Sequence, residues 1–151
     1  MNKLEVYEKK FKEENPEFKT NQINFYAFGE GDNMANELAQ LVFWGEKCGT
    51  TSLYQLYEIE DEKIPQVDDI SVILDGSGNP TSVIKNTKIE VLKFKDVTEE
   101  HAFIEGEGDK SLAYWRNAHI DFFTKTDNEI KEVKFNEDSL VVFETFEVIY
   151  K

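Results

Sequence analysis

Residues 81–94 read TSVIKNTKIEVLKF, the longest stretch of the chain that alternates like a strand while changing phase part-way. Side chains in a strand point to opposite faces with a period of two, so Ile89 and Val91 share one face whereas Leu92 and Phe94 share the other. The switch predicts a bulge or a sharp bend, the device by which a small sheet closes into a barrel. Working outward, Ile70–Leu74 is apolar throughout and reads as a buried strand. The DGSGNP segment from Asp75 to Pro80 is its turn. Downstream, Leu140–Tyr150 is a second strong strand.

Helical spacing surrounds these strands. Leu4, Tyr7 and Phe11 predict a charged amphipathic helix over residues 2–14, stopped by Asn15-Pro16. Met34, Leu38, Leu41 and Val42 predict another from about Asp32 to Trp44, with Asp32 or Asn33 as cap and Gly45 as terminator. The type of the stretch from Thr50 to Ile59 stays open. Residues 98–104 predict a short helix with Glu99 and Glu100 at its positive end. Residues 110–123 predict a further one, capped by Asp109, with Leu112, Trp115, His119 and Phe122 on one face. Helices first, then strands interrupted by helices, make the class α+β with a mainly antiparallel sheet.

Composition narrows what such a domain does. A length of 151 residues with 40% hydrophobic side chains supports one core, so a single domain is expected. Residues 1–24 form its N-terminal helix and lead-in, and 25–151 the body. No apolar run approaches the ~18 residues of a membrane span, and the charged N-terminus lacks the apolar centre of a secretory signal. With one cysteine there is no internal disulfide, which fits a reducing compartment, the cytoplasm. Seventeen basic against 31 acidic residues leave a net charge of −14, which repels a phosphate backbone. Sequence-blind nucleic-acid binding is thereby disfavoured. Any basic pocket must be built from scattered lysines and the lone Arg116.

Three clusters carry residue types suited to chemistry. In the first, GEKCGTTS from Gly45 to Ser52, Lys47 and Thr50 lie three apart. A lysine of lowered pKa can activate a threonine hydroxyl, although the same residues also suit a helix C-terminus. The Gly-x4-Gly-Lys-Ser/Thr phosphate loop is absent, and no histidine near Cys48 in sequence would activate its thiol. The second cluster is Glu105-Gly106-Glu107-Gly108-Asp109. Three carboxylates on one side of an extended chain would raise at least one pKa by repulsion, the property of a general acid or base. A solvated turn with Asp109 as cap is the alternative, and neither the calcium-loop pattern nor a histidine pair supports a metal. The third cluster, from Tyr114 to His119, holds the lone arginine. Arg116 is placed to bond Glu105, Glu107 or Asp109, or to stack on a nucleobase. His119 suits either a core position or the role of an acid.

Taken together, Ala35-Asn36-Glu37-Leu38, Gly45-x-Lys47-x-x-Thr50 and EGEGD-x-SL-x-YWR-x-x-H-x-x-FF from Glu105 to Phe123 resemble the ASCH domain family in its longer bacterial branch. The resemblance spans roughly residues 25–150. It implies a PUA-like small β-barrel with flanking helices, a cleft beside the helix that precedes Lys47, and a link to RNA. Some relatives are amidohydrolases that deacetylate N4-acetylcytidine, and others are described as ribonucleases. In the former the working lysine, threonine and glutamate correspond to Lys47, Thr50 and Glu105, the last following His101-Ala102. Their arginine two residues beyond the threonine is replaced here by Ser52, and Arg116 is the candidate to stand in for it. Ser52, Glu107, Asp109, Trp115, Arg116 and His119 complete the expected substrate-binding set. The resemblance implies a hydrolase of a modified pyrimidine nucleoside needing no metal or cofactor, with Lys47 or Glu105 as base. A non-catalytic RNA-binding module or a ribonuclease using the same cleft are the alternatives. The expected partner is a nucleoside or modified base, with only weak binding of RNA and none of a membrane.

Overall fold

The computed structural model describes residues 1–151. Helix α1 (Lys3–Glu14) begins at Asn2, whose side chain accepts the Glu5 N–H at 2.9 Å, and ends at Asn15. It lays Phe11 onto Ile70, Val72 and Val83, so the expected Tyr7/Phe11 stripe meets the sheet. Helix α2 (Gly31–Phe43) starts earlier than the capping residues named above, leaving Asp32 in the first turn and Glu30 at the cap position without a side-chain bond. Its end is as expected. Gly45 has φ +76°, its N–H meets the Val42 carbonyl, and the Glu46 N–H reaches back to Leu41, the glycine-terminated closure that satisfies two otherwise orphaned carbonyls.

Five strands form one sheet: β1 (Ile23–Tyr26), β2 (Gly49–Leu53), β3 (Ile70–Leu74), β4 (Pro80–Lys93) and β5 (Leu140–Tyr150), in the order β1-β3-β4-β5-β2. β1 and β3 run parallel, and the other pairings are antiparallel. β4 is the spine of the sheet and pairs with both β3 and β5. Its irregularities lie at Val83/Ile84 and Asn86/Lys88, upstream of the predicted phase switch. Residues 88–93 pair with 145–140 without interruption. At Val83/Ile84 the unpaired residue is Ile149 of β5, and at Asn86/Lys88 it is Thr87, whose hydroxyl donates to the Thr145 carbonyl at 3.2 Å. The alternation misplaced the bend because Val91 is largely exposed (48%), so there is no second buried face at that point.

Strand period separates two sides of the sheet. On one, Ile70 and Val72 meet α1, while Leu53 and Val141 pack with Trp115 and Phe123. On the other, Ile73, Ile84 and Phe146 lie beneath α2 with Leu38 and Val42. The uncertain stretch from Thr50 to Ile59 resolves into most of β2 followed by a short helix, α3 (Tyr54–Ile59). Helix α4 (Glu99–Glu105) carries a capping box in which Thr98 accepts from the His101 backbone and the His101 ring accepts from the Thr98 backbone. Helix α5 (Leu112–Glu129) is longer than predicted and is capped by Ser111, not Asp109; Asp109 instead accepts the Ser111 N–H at 2.9 Å. Its inward stripe is Trp115, His119 and Phe123 at i, i+4 and i+8, and Phe122 points outward. No helix is long and apolar enough to cross a membrane.

Candidate functional site: a buried ion network beside a polar cavity

The segment after the Gly45 turn is pinned from both sides, by the Cys48 N–H to Ile104 of α4 and by the Phe146 N–H of β5 to the Cys48 carbonyl. Lys47 is consequently driven inward and is only 1% exposed. Its ammonium donates to the Gly49 carbonyl and to Glu107 Oε2, each at 2.8 Å, and lies 3.6 Å from Glu105 Oε2. It also sits 4.8 Å from the centre of the Phe28 ring.

Glu105, at the last turn of α4, is equally enclosed. Its Oε1 accepts from the Thr51 hydroxyl at 2.7 Å and from the Trp115 indole at 2.8 Å, and its Oε2 lies 3.1 Å from His119 Nε2. Burial alone would push this carboxyl up, yet Lys47, His119 and Thr51 outweigh it and hold it down at about 2. His119 Nδ1 meets the Trp115 carbonyl at 2.8 Å. A carbonyl and a carboxylate only accept, so both ring nitrogens act as donors and the ring is an imidazolium. Burial opposes that charge, and the Glu105 carboxylate overrides it and raises the pKa. Two cations, Lys47 and His119, thus balance two carboxylates, Glu105 and Glu107.

Gly106 makes this geometry attainable. It has φ +75°, and a Cβ there would lie 1.9 Å from the Glu46 carbonyl oxygen, so the loop after α4 can press against the Lys47 backbone only without a side chain. The acidic run therefore does not project as a row of repelling carboxylates. Glu105 is buried, Glu107 binds Lys47 at the rim, and Asp109 is exposed with its pKa lowered by its bonds to Ser111.

Of the residues singled out from sequence, Lys47, Glu105, Glu107, Trp115 and His119 converge here. Thr50 does not. Side chains alternate along β2, so the neighbouring Thr51 bonds Glu105 while Thr50 faces the other side of the sheet, opposite Glu144 in the ladder. Arg116 is the second correction. It pairs with Glu137 and lies 5.1 Å from the Phe94 ring, not on the acidic turn, because Trp115 and His119 already occupy the helix face turned toward Glu105. No group of three His, Cys, Asp or Glu side chains is placed to hold a metal ion.

Thr50 and Ser52 instead line a cavity of about 440 Å³. Asn24 and Tyr26 of β1, Ser71 of β3, Asn86 of β4 and Glu144 of β5 share it, with Phe28 and Tyr57 as further aromatic walls. Contributions from all five strands, both edges included, mean that the sheet curls around this space. Ser52 and Tyr57 share a hydrogen bond of 2.7 Å. Asn86 Nδ2 donates to Glu144 Oε1 at 3.0 Å. Burial pushes the Glu144 carboxyl up, against the lowering effect of Asn86 and of Lys47. Sequence reasoning passed over Glu144 and Asn86. The available signal was an acid, Glu144, on a strand face whose flanking residues Val142 and Phe146 are apolar.

Comparison with known proteins agrees with this architecture. The profile described as "ASCH domain" matches residues 24–150. A crystal structure of an ASCH domain from Lactobacillus crispatus JV V101 is 32% identical, covers 97% of this chain and 94% of its own, and superposes with a TM-score of 0.89. A protein from Enterococcus faecalis V583 is also 32% identical, with 98% and 93% coverage and a TM-score of 0.87. No curated protein sequence matches significantly. With the profile spanning nearly the whole sheet and its helices, the chain belongs to the ASCH domain family and has its PUA-like fold.

Proposed function

We propose that this domain binds a pyrimidine nucleoside, free or as an unstacked base in RNA, within the cavity enclosed by the five strands. The supporting observation is the character of the wall. Tyr26, Phe28 and Tyr57 offer aromatic surface beside Thr50, Ser52, Asn86 and Glu144, in a volume within the range of ~300–1,000 Å³ usual for small-molecule sites. Charge separates base from phosphate. Glu62, Asp69 and Glu144 line the cavity against the single cation Lys63, and the protein as a whole carries −14. Such a surface gains little from displacing counterions of a polyanion. Titration of cytidine is expected to give saturable binding, weakened about tenfold or more by Tyr57→Ala through lost stacking surface. A short single-stranded RNA titrated at about 50 and 200 mM salt is expected to bind weakly with a shallow salt slope. Tight RNA binding with a steep slope and no response to free nucleoside would overturn the reading in favour of a backbone-binding surface.

Hydrolysis of an exocyclic amide, as in N4-acetylcytidine, is a second reading, favoured by the position of the Thr50 hydroxyl on the cavity wall. On this reading the Thr50 oxygen bonds to the acyl carbon while its hydroxyl proton passes to the exocyclic nitrogen, the C–N bond breaks to release cytidine, and water then hydrolyses the threonine ester to acetate and the free hydroxyl. Lys47 contributes positive charge, and the saturated Glu105 fixes Lys47 in place and is too acidic to serve as an efficient base. Turnover of N4-acetylcytidine to cytidine and acetate is then expected for the wild type and absent in Thr50→Ala. Nucleoside binding without any turnover would remove this second reading and leave the first.

A further inference from the structure

The carboxylates of the ion network are each matched by Lys47 or His119. Those on the cavity wall are not. Glu62, Asp69 and Glu144 take part in no ion pair with a lysine, arginine or histidine. Lys63, the one basic side chain on the wall, is exposed and pairs with none of them. Asp69 and Glu144 are half-buried, so water screens them only in part. Burial, and after it the charge of Asp69, pushes the Glu144 carboxyl up, against Asn86 and Lys47. Asn86, only 5% exposed, has its amide nitrogen fixed by the Gln66 carbonyl and Glu144, which leaves Oδ1 with no protein donor. The hydroxyls of the wall are neutral and rotate to donate or accept, so they do not alter the sign of this field. Aromatic faces stand beside the acids at Tyr26, Phe28 and Tyr57. Such faces attract cations, and the Lys47 ammonium already lies 4.8 Å from the centre of the Phe28 ring.

Resting on the nucleoside reading above, we infer that the cavity selects a nucleoside whose base is positively charged, an N-alkylated ring that is cationic at neutral pH. The charged ring supplies the cation that Glu144 and Asp69 lack, and its face rests on the aromatic walls. A neutral base of the same shape stacks equally well but leaves the two carboxylates uncompensated. Glu144 and Asp69 are thus the specificity-determining residues for charge, while the hydroxyls serve either ligand.

The test varies charge at nearly constant shape. 3-Methylcytidine is a cation at neutral pH. Its isomer 5-methylcytidine is neutral, and 3-methyluridine carries the same methyl group on a neutral ring. 3-Methylcytidine is expected to bind about tenfold or more tightly than either control, the preference shrinking between about 50 and 200 mM salt. Asp69→Asn and Glu144→Gln each keep an oxygen for their present donors, the Gln66 N–H and the Asn86 amide. Each is expected to reduce the preference by about threefold or more, with folding checked by thermal denaturation. The ligand series on the wild type needs no variant, so the outcome stands even where Glu144→Gln unfolds. Equal affinity for 3-methylcytidine and either control would overturn the inference while leaving the nucleoside reading intact. Failure of all three, and of cytidine, to bind would remove that reading and this inference with it. A preference undiminished in both folded variants would place charge recognition elsewhere and overturn the assignment.

Discussion

Glu105→Ala is expected to lower folding stability by about 3–5 kcal/mol, the range found when one partner of a buried ion pair is removed. The reason is the number of donors stranded at once. Thr51, Trp115 and His119 each lose an acceptor, and Lys47, itself almost wholly enclosed, is left with Glu107 and the Gly49 carbonyl. Each unsatisfied buried donor costs about 1–3 kcal/mol, and the network fails as a unit, so the losses do not simply add. Asp109→Ala, four residues along in the same acidic run, is the control. Asp109 is exposed and outside the network, so its loss is expected to stay within about 0.5 kcal/mol. Urea denaturation of the two variants measures the contrast. A Glu105→Ala penalty below about 1 kcal/mol would mean that water enters and solvates the site, contrary to the enclosure described here.

Stability is expected to fall on both sides of a plateau between roughly pH 5 and 6.5, and two groups set the slopes. Glu105 has a folded pKa of about 2, below its unfolded value of 4.5. Its contribution is thus fully present above the unfolded value and lost as pH falls from about 5 toward 2, on the order of 3 kcal/mol in all. His119 has the opposite sign. Its folded pKa is raised above 6.5, so its contribution is full below that value and is lost as pH rises through the folded pKa. Melting temperature recorded from pH 3 to 9 tests both limbs. Glu105→Gln is expected to flatten the acid limb, and His119→Gln the alkaline one. An acid limb unchanged in Glu105→Gln would assign it to other carboxylates, and the coupling between Lys47, His119 and Glu105 would be weaker than the geometry implies.

Local sequence alone specified the three central strands β3, β4 and β5, the termination of α2 at Gly45, the first helix, and the family to which the chain belongs. These rest on local information: periodicity, a glycine in a left-handed position, and a motif of contiguous residues. Lys47 and Glu105 were legible as a pair through that motif, and lie 3.6 Å apart across nearly 60 residues of chain. Other features were not legible, for identifiable reasons. β1 pairs in parallel with a strand more than 40 residues away, a choice that nothing within four residues can encode. Asp109 lost the capping position to Ser111 because a shift of two residues in a helix start exchanges cap for turn. Arg116 went to Glu137 because the helix face of Trp115 and His119 was taken by Glu105. The exchange of Thr50 for Thr51 has the largest consequence. Adjacent strand residues point to opposite faces, so only the pairing of β2 with β5 settles which hydroxyl joins the ion network and which looks into the cavity with Glu144.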